Sequence, residues 1–232
     1  MAESCWVVHY EQRRISEKEY WNLYREVLKT NTVHNLKCAS VILAQHGWFL
    51  DFEFPAAGAT TIAQMLDAGQ SEESFAVLRT HYEQRRPSIE VELIEQFPRR
   101  IELIRTCFRL HDASIYDASV PLFIIQADGI CHDIFGAELF RAKKGVSALR
   151  RMLDRKRIDW LWEAAIEPLR EVLALAKPAA RQSGKFNRHL ILHGADLDYG
   201  TKENSLRALS LLSYLRSLAD YEKKAKARPS DG

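Results

Sequence analysis

The chain has 232 residues, 47% hydrophobic and 28% charged, which is the profile of a globular protein with one large domain or two small ones sharing a core. Lys and Arg number 33 against 31 Asp and Glu, so a formal net charge of +2 points to no polyanionic partner on its own. The longest apolar runs, such as Val120-Pro121-Leu122-Phe123-Ile124-Ile125, are too short to span a bilayer, and Met1-Ala2-Glu3-Ser4-Cys5-Trp6 lacks the basic-then-apolar order of a secretory leader.

Hydrophobic spacing is helical almost throughout, and an all-α fold is expected. Ser16-Glu17-Lys18-Glu19 reads as a capping box opening a helix to about Thr30. A second helix is expected from Val33 to Gly47. A short one over Thr60 to Ala68 is stopped by Gly69, and another runs from Ser71 until Pro87 closes it. Ser88 restarts a helix that Pro98 breaks, with resumption from Arg99 to about Asp112. Ser119-Val120-Pro121 suggests a fresh start, with proline in the first turn of a helix whose Leu122, Phe123, Ile124, Ile125 and Ile130 are buried. Asp159 to Lys177 is strongly apolar and helical. Thr201 caps the last helix, Lys202 to about Tyr221, whose Leu206, Leu209, Leu212, Leu215 and Leu218 form a core-facing stripe. The polar end from Glu222 reads as frayed. Strand signals are confined to Val7-Val8 and Phe49 to Phe54. The expected organisation is a helical N-terminal region over 1–87, a helical domain over 88–222 and a polar tail over 223–232.

Cys5, Cys38, Cys107 and Cys131 are scattered and form no CxxC pair, which argues against a zinc knuckle. Each reads as a small buried apolar side chain in a reducing, cytoplasmic setting. One charge feature is local. Arg141, Lys143, Lys144, Arg150, Arg151, Arg155, Lys156 and Arg157 are opposed only by Asp154. Such a run can follow a phosphate backbone, with Arg150, Arg151, Arg155, Lys156 and Arg157 as candidate RNA contacts, or it can be a solvated helix face.

The chemistry is concentrated in Asn187-Arg188-His189-Leu190-Ile191-Leu192-His193-Gly194. Arginine carries a permanent planar charge that braces a phosphate, and histidine exchanges a proton near neutral pH. On a helix, His189 and His193 stack on one face, with Arg188 about 140° around from His193 but long enough to bend back. Gly194 would end the helix beside His193. These residues resemble the Arg-x4-6-His motif of the HEPN superfamily (higher eukaryotes and prokaryotes nucleotide-binding domains), in which the residue after the arginine is commonly Asn, Asp or His, as His189 is here. Asn187 to Leu212, with Asp198-Tyr199-Gly200-Thr201, is similar to uncharacterised bacterial and phage-borne HEPN-like proteins. So is the stretch from Phe97-Pro98-Arg99-Arg100 to Gln126-Ala127-Asp128-Gly129-Ile130. The first 87 residues carry no such resemblance.

The resemblance implies an all-helical fold and a metal-independent endoribonuclease with no cofactor, of the kind found among toxins and phage-defence effectors. His193 would serve as general base or acid on the ribose 2′-hydroxyl and the leaving oxygen, Arg188 would stabilise the scissile phosphate, and His189 would position it. The site would lie across a homodimer, with RNA as substrate and an antitoxin or activating partner as a further component. Asn187, Asp128 and Asp198 are supporting candidates, Asp128 as a group orienting Arg188 or His193. Two other readings stand beside this one. A non-catalytic HEPN-like module would bind RNA, a nucleotide or a protein. A metal-dependent hydrolase would use His189, His193, Asp196 and Asp198, although no Glu follows His189 as in HExxH. Structural roles are also available. Arg188 can pair with Asp196 or Asp198, and Gln126 and Asp128 can cap a turn. In Cys131-His132-Asp133, neighbouring side chains point apart on a helix. His9, His34, His46 and His81 have no partner legible in sequence, and the tryptophans read as core or interface residues.

Overall fold

A computed structural model describes residues 32–140, 142–143, 146–147, 160–169 and 186–227. Among these the chain is all-α, with eight α-helices, a single 3₁₀ turn and one minimal ladder. Helix α1 covers residues 32–45, α2 Ala56–Asp67, α3 Ser71–Gln96, α4 Ile101–Asp112, α5 Tyr116–Phe135, α6 Trp160–Ile166, α7 Arg188–Leu192 and α8 Lys202–Ala227. The ladder joins β1 (Ala142–Lys143) to β2 (Val146–Ser147), antiparallel, with Ala142 opposite Ser147. Phe49 to Phe54, a strand candidate in the sequence, is coil and turn. The expected helix over 16–30 and the strand candidate Val7-Val8 lie outside the described residues, as does Asp159 to Lys177 apart from 160–169.

The core is organised around α8, which packs chiefly on α5 and α3. Its leucine stripe, Leu206, Leu209, Leu212, Leu215 and Leu218, is fully buried as expected, but Ala208, Leu211 and Tyr214 on other faces are buried too. Buried on nearly every face over residues 205–219, the helix lies at the centre of the bundle. Its buried serines tie it to the segment before α2: Phe49 N donates to Ser210 Oγ at 3.1 Å, Ser213 Oγ donates to Asp51 Oδ2 at 2.9 Å, and Phe52 N donates to Ser217 Oγ at 3.3 Å. Thr201 is the cap anticipated, its Oγ1 accepting from Asn204 N at 3.1 Å. The far end departs from expectation. α8 continues to Ala227, supported by a Lys224–Asp220 pair at 2.7 Å one turn apart.

Two prolines do not act as the sequence suggests. Pro87 lies inside α3, so the helix runs on to Gln96 and the expected division after residue 87 falls within one helix. An interior proline costs about 3 kcal/mol. Leu78 and Tyr82 before it and Ile89 and Leu93 after it all enter the same core, and each large apolar side chain buried contributes roughly 1.5–3 kcal/mol. Packing therefore outweighs propensity. Pro98 does break the chain, opening the 3₁₀ turn Pro98–Arg100 before α4. Pro121 is not in the first turn either, because α5 begins at Tyr116. Its missing N–H frees the Asp117 carbonyl four residues earlier, and the Tyr199 hydroxyl donates to that carbonyl at 2.8 Å. Phe123, Ile124 and Ile130 of α5 are buried and Leu122 half-buried, but Ile125 is 51% exposed.

Gly47 closes α1 with φ +82, and a Cβ there would meet Phe186 Cβ at 2.9 Å. Only glycine allows both that turn and the close approach of the segment leading into α7. Cys107 and Cys131 are free and buried as anticipated, and burial pushes the Cys107 thiol up to about 12. Cys38 departs from the expectation of a free thiol and is disulfide-bonded. No helix among the described residues is long and apolar enough to cross a membrane.

Candidate active site

The motif forms α7, a helix of five residues, Arg188–Leu192. So short a helix needs outside support. Asn187 supplies it as the N-cap. Its Oδ1 accepts from His189 N at 3.0 Å and from Leu190 N at 3.2 Å. Asn187 is itself buried, so its place among the supporting candidates is that of a capping residue. Ile191 anchors α7 in the core, where the helix packs on α5. At the other end Gly194 adopts φ +67, and Ala195 N and Asp196 N both donate to Leu190 O, at 2.8 and 3.2 Å.

This geometry brings the two histidines together. The rings of His189 and His193 lie with centroids 4.3 Å apart, inclined by 56°. His193 is exposed and His189 half-buried. Arg188 goes elsewhere. Its guanidinium carbon sits 4.5 Å from the centroid of the Phe140 ring, over its face. Its Nε is buried without a hydrogen-bond partner. Among the described residues no carboxylate pairs with Arg188. The alternative of a salt bridge to Asp196 or Asp198 is not what the chain does: Asp196 Oδ1 instead accepts from Asp198 N at 3.0 Å, closing an Asx turn. Asp198 itself is exposed.

A hollow of about 590 Å³ opens past Gly194, walled by Asp117, Asp196, Asp198, Tyr199 and Gly200. Tyr199 sets this loop against α5 through its bond to the Asp117 carbonyl, while Asn204 Nδ2 donates to Tyr199 O at 3.0 Å. The hollow therefore carries acidic groups beside the basic motif. Among the described residues no three His, Cys, Asp or Glu side chains gather as a metal-ligand set, so His189, His193, Asp196 and Asp198 do not form one.

Asp128 does not reach the motif directly. Its Oδ1 accepts from Leu139 N at 2.8 Å, and Cys131 Sγ donates to Ala137 O at 3.1 Å. With Gly136 at φ +63, these contacts fix the turn after α5 that presents Phe140. Gln126 accepts from Arg100 Nη1 at 3.1 Å, and Asp133 accepts from Arg100 Nε at 2.8 Å. Arg100 lies across Gly129 so closely that a Cβ there would sit 2.5 Å from Nη1. The hydrogen bond from Arg100 holds the Asp133 carboxyl below its usual range. The two stretches singled out together in the sequence, Phe97 to Arg100 and Gln126 to Ile130, thus meet as a structural clamp.

His111 is buried, its Nδ1 2.8 Å from Ser205 Oγ, which in turn lies 2.8 Å from Ser119 Oγ. Burial lowers its pKa, against the opposing effect of the Asp112 carboxylate. A further polar cluster left no mark in sequence. Asp51, 2% exposed, meets His81 Nε2 at 3.5 Å and Arg85 Nη2 at 3.4 Å. Burial pushes the Asp51 carboxyl up. The approach of His81, the hydrogen bond from Ser213 and the charge of Arg85 outweigh it and leave the group below its ordinary value. Arg85 continues to Glu92 at 3.2 Å, and Glu92 to Arg216 at 3.1 Å. His81 thus has a partner thirty positions away that no local spacing signals.

Arg141 and Lys144, together with Arg150, Arg151, Arg155, Lys156 and Arg157, lie outside the described residues. No family model, curated protein or solved structure matches the chain.

Proposed function

We propose that the chain is a metal-independent endoribonuclease of the HEPN type, acting on RNA as a homodimer, in a toxin or phage-defence setting. The observation that carries the reading is the His189–His193 pair, 4.3 Å between ring centroids, in the same short motif as Arg188, whose guanidinium lies on Phe140 and pairs with no described carboxylate. RNA cleavage by the 2′-hydroxyl needs a base to take that proton, an acid to protonate the departing 5′-oxygen, and positive charge on the phosphate. In this reading His193, the exposed member, exchanges protons with the ribose, and His189 positions the phosphate. Arg188 offsets the charge that builds on the phosphoryl oxygens. A second chain supplies the other proton-transfer group. The products are a 2′,3′-cyclic phosphate and a 5′-hydroxyl.

A second reading, a non-catalytic RNA-binding module, is favoured by one specific observation: Arg188 rests on Phe140 rather than beside the histidines. The two separate cleanly. Purified protein is incubated with mixed single-stranded RNA and tRNA in EDTA, beside His193→Ala and Arg188→Ala. The nuclease reading expects cyclic-phosphate ends from the wild type and a loss of about 100-fold or more in either variant. Equal cleavage by wild type and His193→Ala would remove it. Binding without cleavage, weakened by Arg188→Ala, would establish the module instead.

A further inference from the structure

Phe140 is the only described group that engages the Arg188 guanidinium, and it does so through its ring face. That choice of partner has a chemical consequence. A carboxylate would neutralise the arginine and occupy its N–H fork, and a phosphate would have to displace it. An aromatic face attracts the cation while leaving its charge whole. The terminal nitrogens of Arg188 donate to no described group, and a bidentate phosphate contact would use that fork.

The ring is itself fixed. Phe140 is buried, 9% exposed, and the backbone beside it is pinned by Asp128 through Leu139 N. We propose that Phe140 is a positioning residue for Arg188, holding the guanidinium charged and unspent for an RNA phosphate, with Asp128 setting Phe140 in turn. This rests on the reading of Arg188 as a phosphate contact, and it holds for a nuclease and for a binding module alike. Order of action runs from α5 through the 136–140 turn to the first residue of α7. It gives the Asp128 side chain a route to Arg188 that involves no direct contact.

The test is binding of a single-stranded oligoribonucleotide carrying 2′-O-methyl groups throughout, which cannot be cut, measured by fluorescence anisotropy over a range of salt. Phe140→Leu keeps an apolar side chain and removes the π face. It is expected to weaken binding about 3- to 20-fold, the range such a contact supplies. The slope of affinity against salt stays as in the wild type, because Arg188 still reaches the phosphate in the complex. Phe140→Tyr restores affinity. Asp128→Ala weakens binding in the same manner, and Asp128→Asn, which keeps an acceptor for Leu139 N, does so less. Arg188→Ala lowers both the affinity and the salt slope, the latter by about one.

Wild-type affinity in Phe140→Leu, with Arg188→Ala impaired, would overturn the inference and leave the proposed function standing. A salt slope lost in Phe140→Leu as in Arg188→Ala would also overturn it, reducing Phe140 to a prop for the local fold. If Arg188→Ala binds as the wild type does, the phosphate contact falls and this inference falls with it. The Arg188 Nε–Hε resonance offers a second readout on the intact protein. A ring-current shift present in the wild type and absent from Phe140→Leu is expected, and equal shifts in both would count against the contact.

Discussion

Individual side chains here are held by partners far away in sequence, and two of them tie stability to pH. His111 has its pKa lowered by burial, so the folded state resists a proton that the unfolded chain accepts below about 6.5. The folded state therefore loses stability as pH falls from that value towards the lower folded value. Asp51 works in a more acidic window. Its folded pKa lies below 3.8, so its contribution is present above that value and is lost as pH falls through the folded one. Chemical denaturation between about pH 8 and pH 5 should show stability declining, and His111→Asn, which keeps an acceptor near the Nδ1 position, should flatten the decline. An unchanged slope in the variant would mean that His111 is not its source. Neither pairing was legible in sequence. The His111–Ser205 and Asp51–His81 pairs join residues on different elements, and no periodicity reports such encounters.

Helices and turns were read from sequence with uneven success, and the failures share a cause. Leucine spacing identified α8, and Gly69, Gly194 and Thr201 marked boundaries that the chain uses. Local geometry decides those positions. Pro87 and Pro121 were read by local rules as well, yet packing on both sides of Pro87 and a hydroxyl donated to the carbonyl freed by Pro121 let the helices continue. That last contact can be measured. Tyr199→Phe should cost about 0.5–1.5 kcal/mol by leaving the Asp117 carbonyl without its donor. In a Pro121→Ala background the restored N–H takes its place, and the same change should cost less. Identical costs in the two backgrounds would rule out the coupling. The motif helix was legible as a helix with its histidines on one face. The seat of Arg188 was not, because Phe140 belongs to a distant turn and nothing in its neighbourhood marks it as a partner.

Across the whole molecule, α8 is the element on which the rest depends. It packs on both α5 and α3, and its serines hold the segment before α2. Leu212→Ala, at a fully buried position, should destabilise the fold by about 2–5 kcal/mol and lower the thermal midpoint accordingly. A loss under about 1 kcal/mol would mean that the surrounding helices collapse around the gap. The central position of α8 also bears on synthesis. Every other described helix precedes α8 in the sequence, so α3 and α5 leave the ribosome before the helix they pack on exists. The motif of α7 is made shortly before α8, against an α5 that still lacks its main partner. The core that seats Ile191 of α7 would therefore close only once α8 has been made.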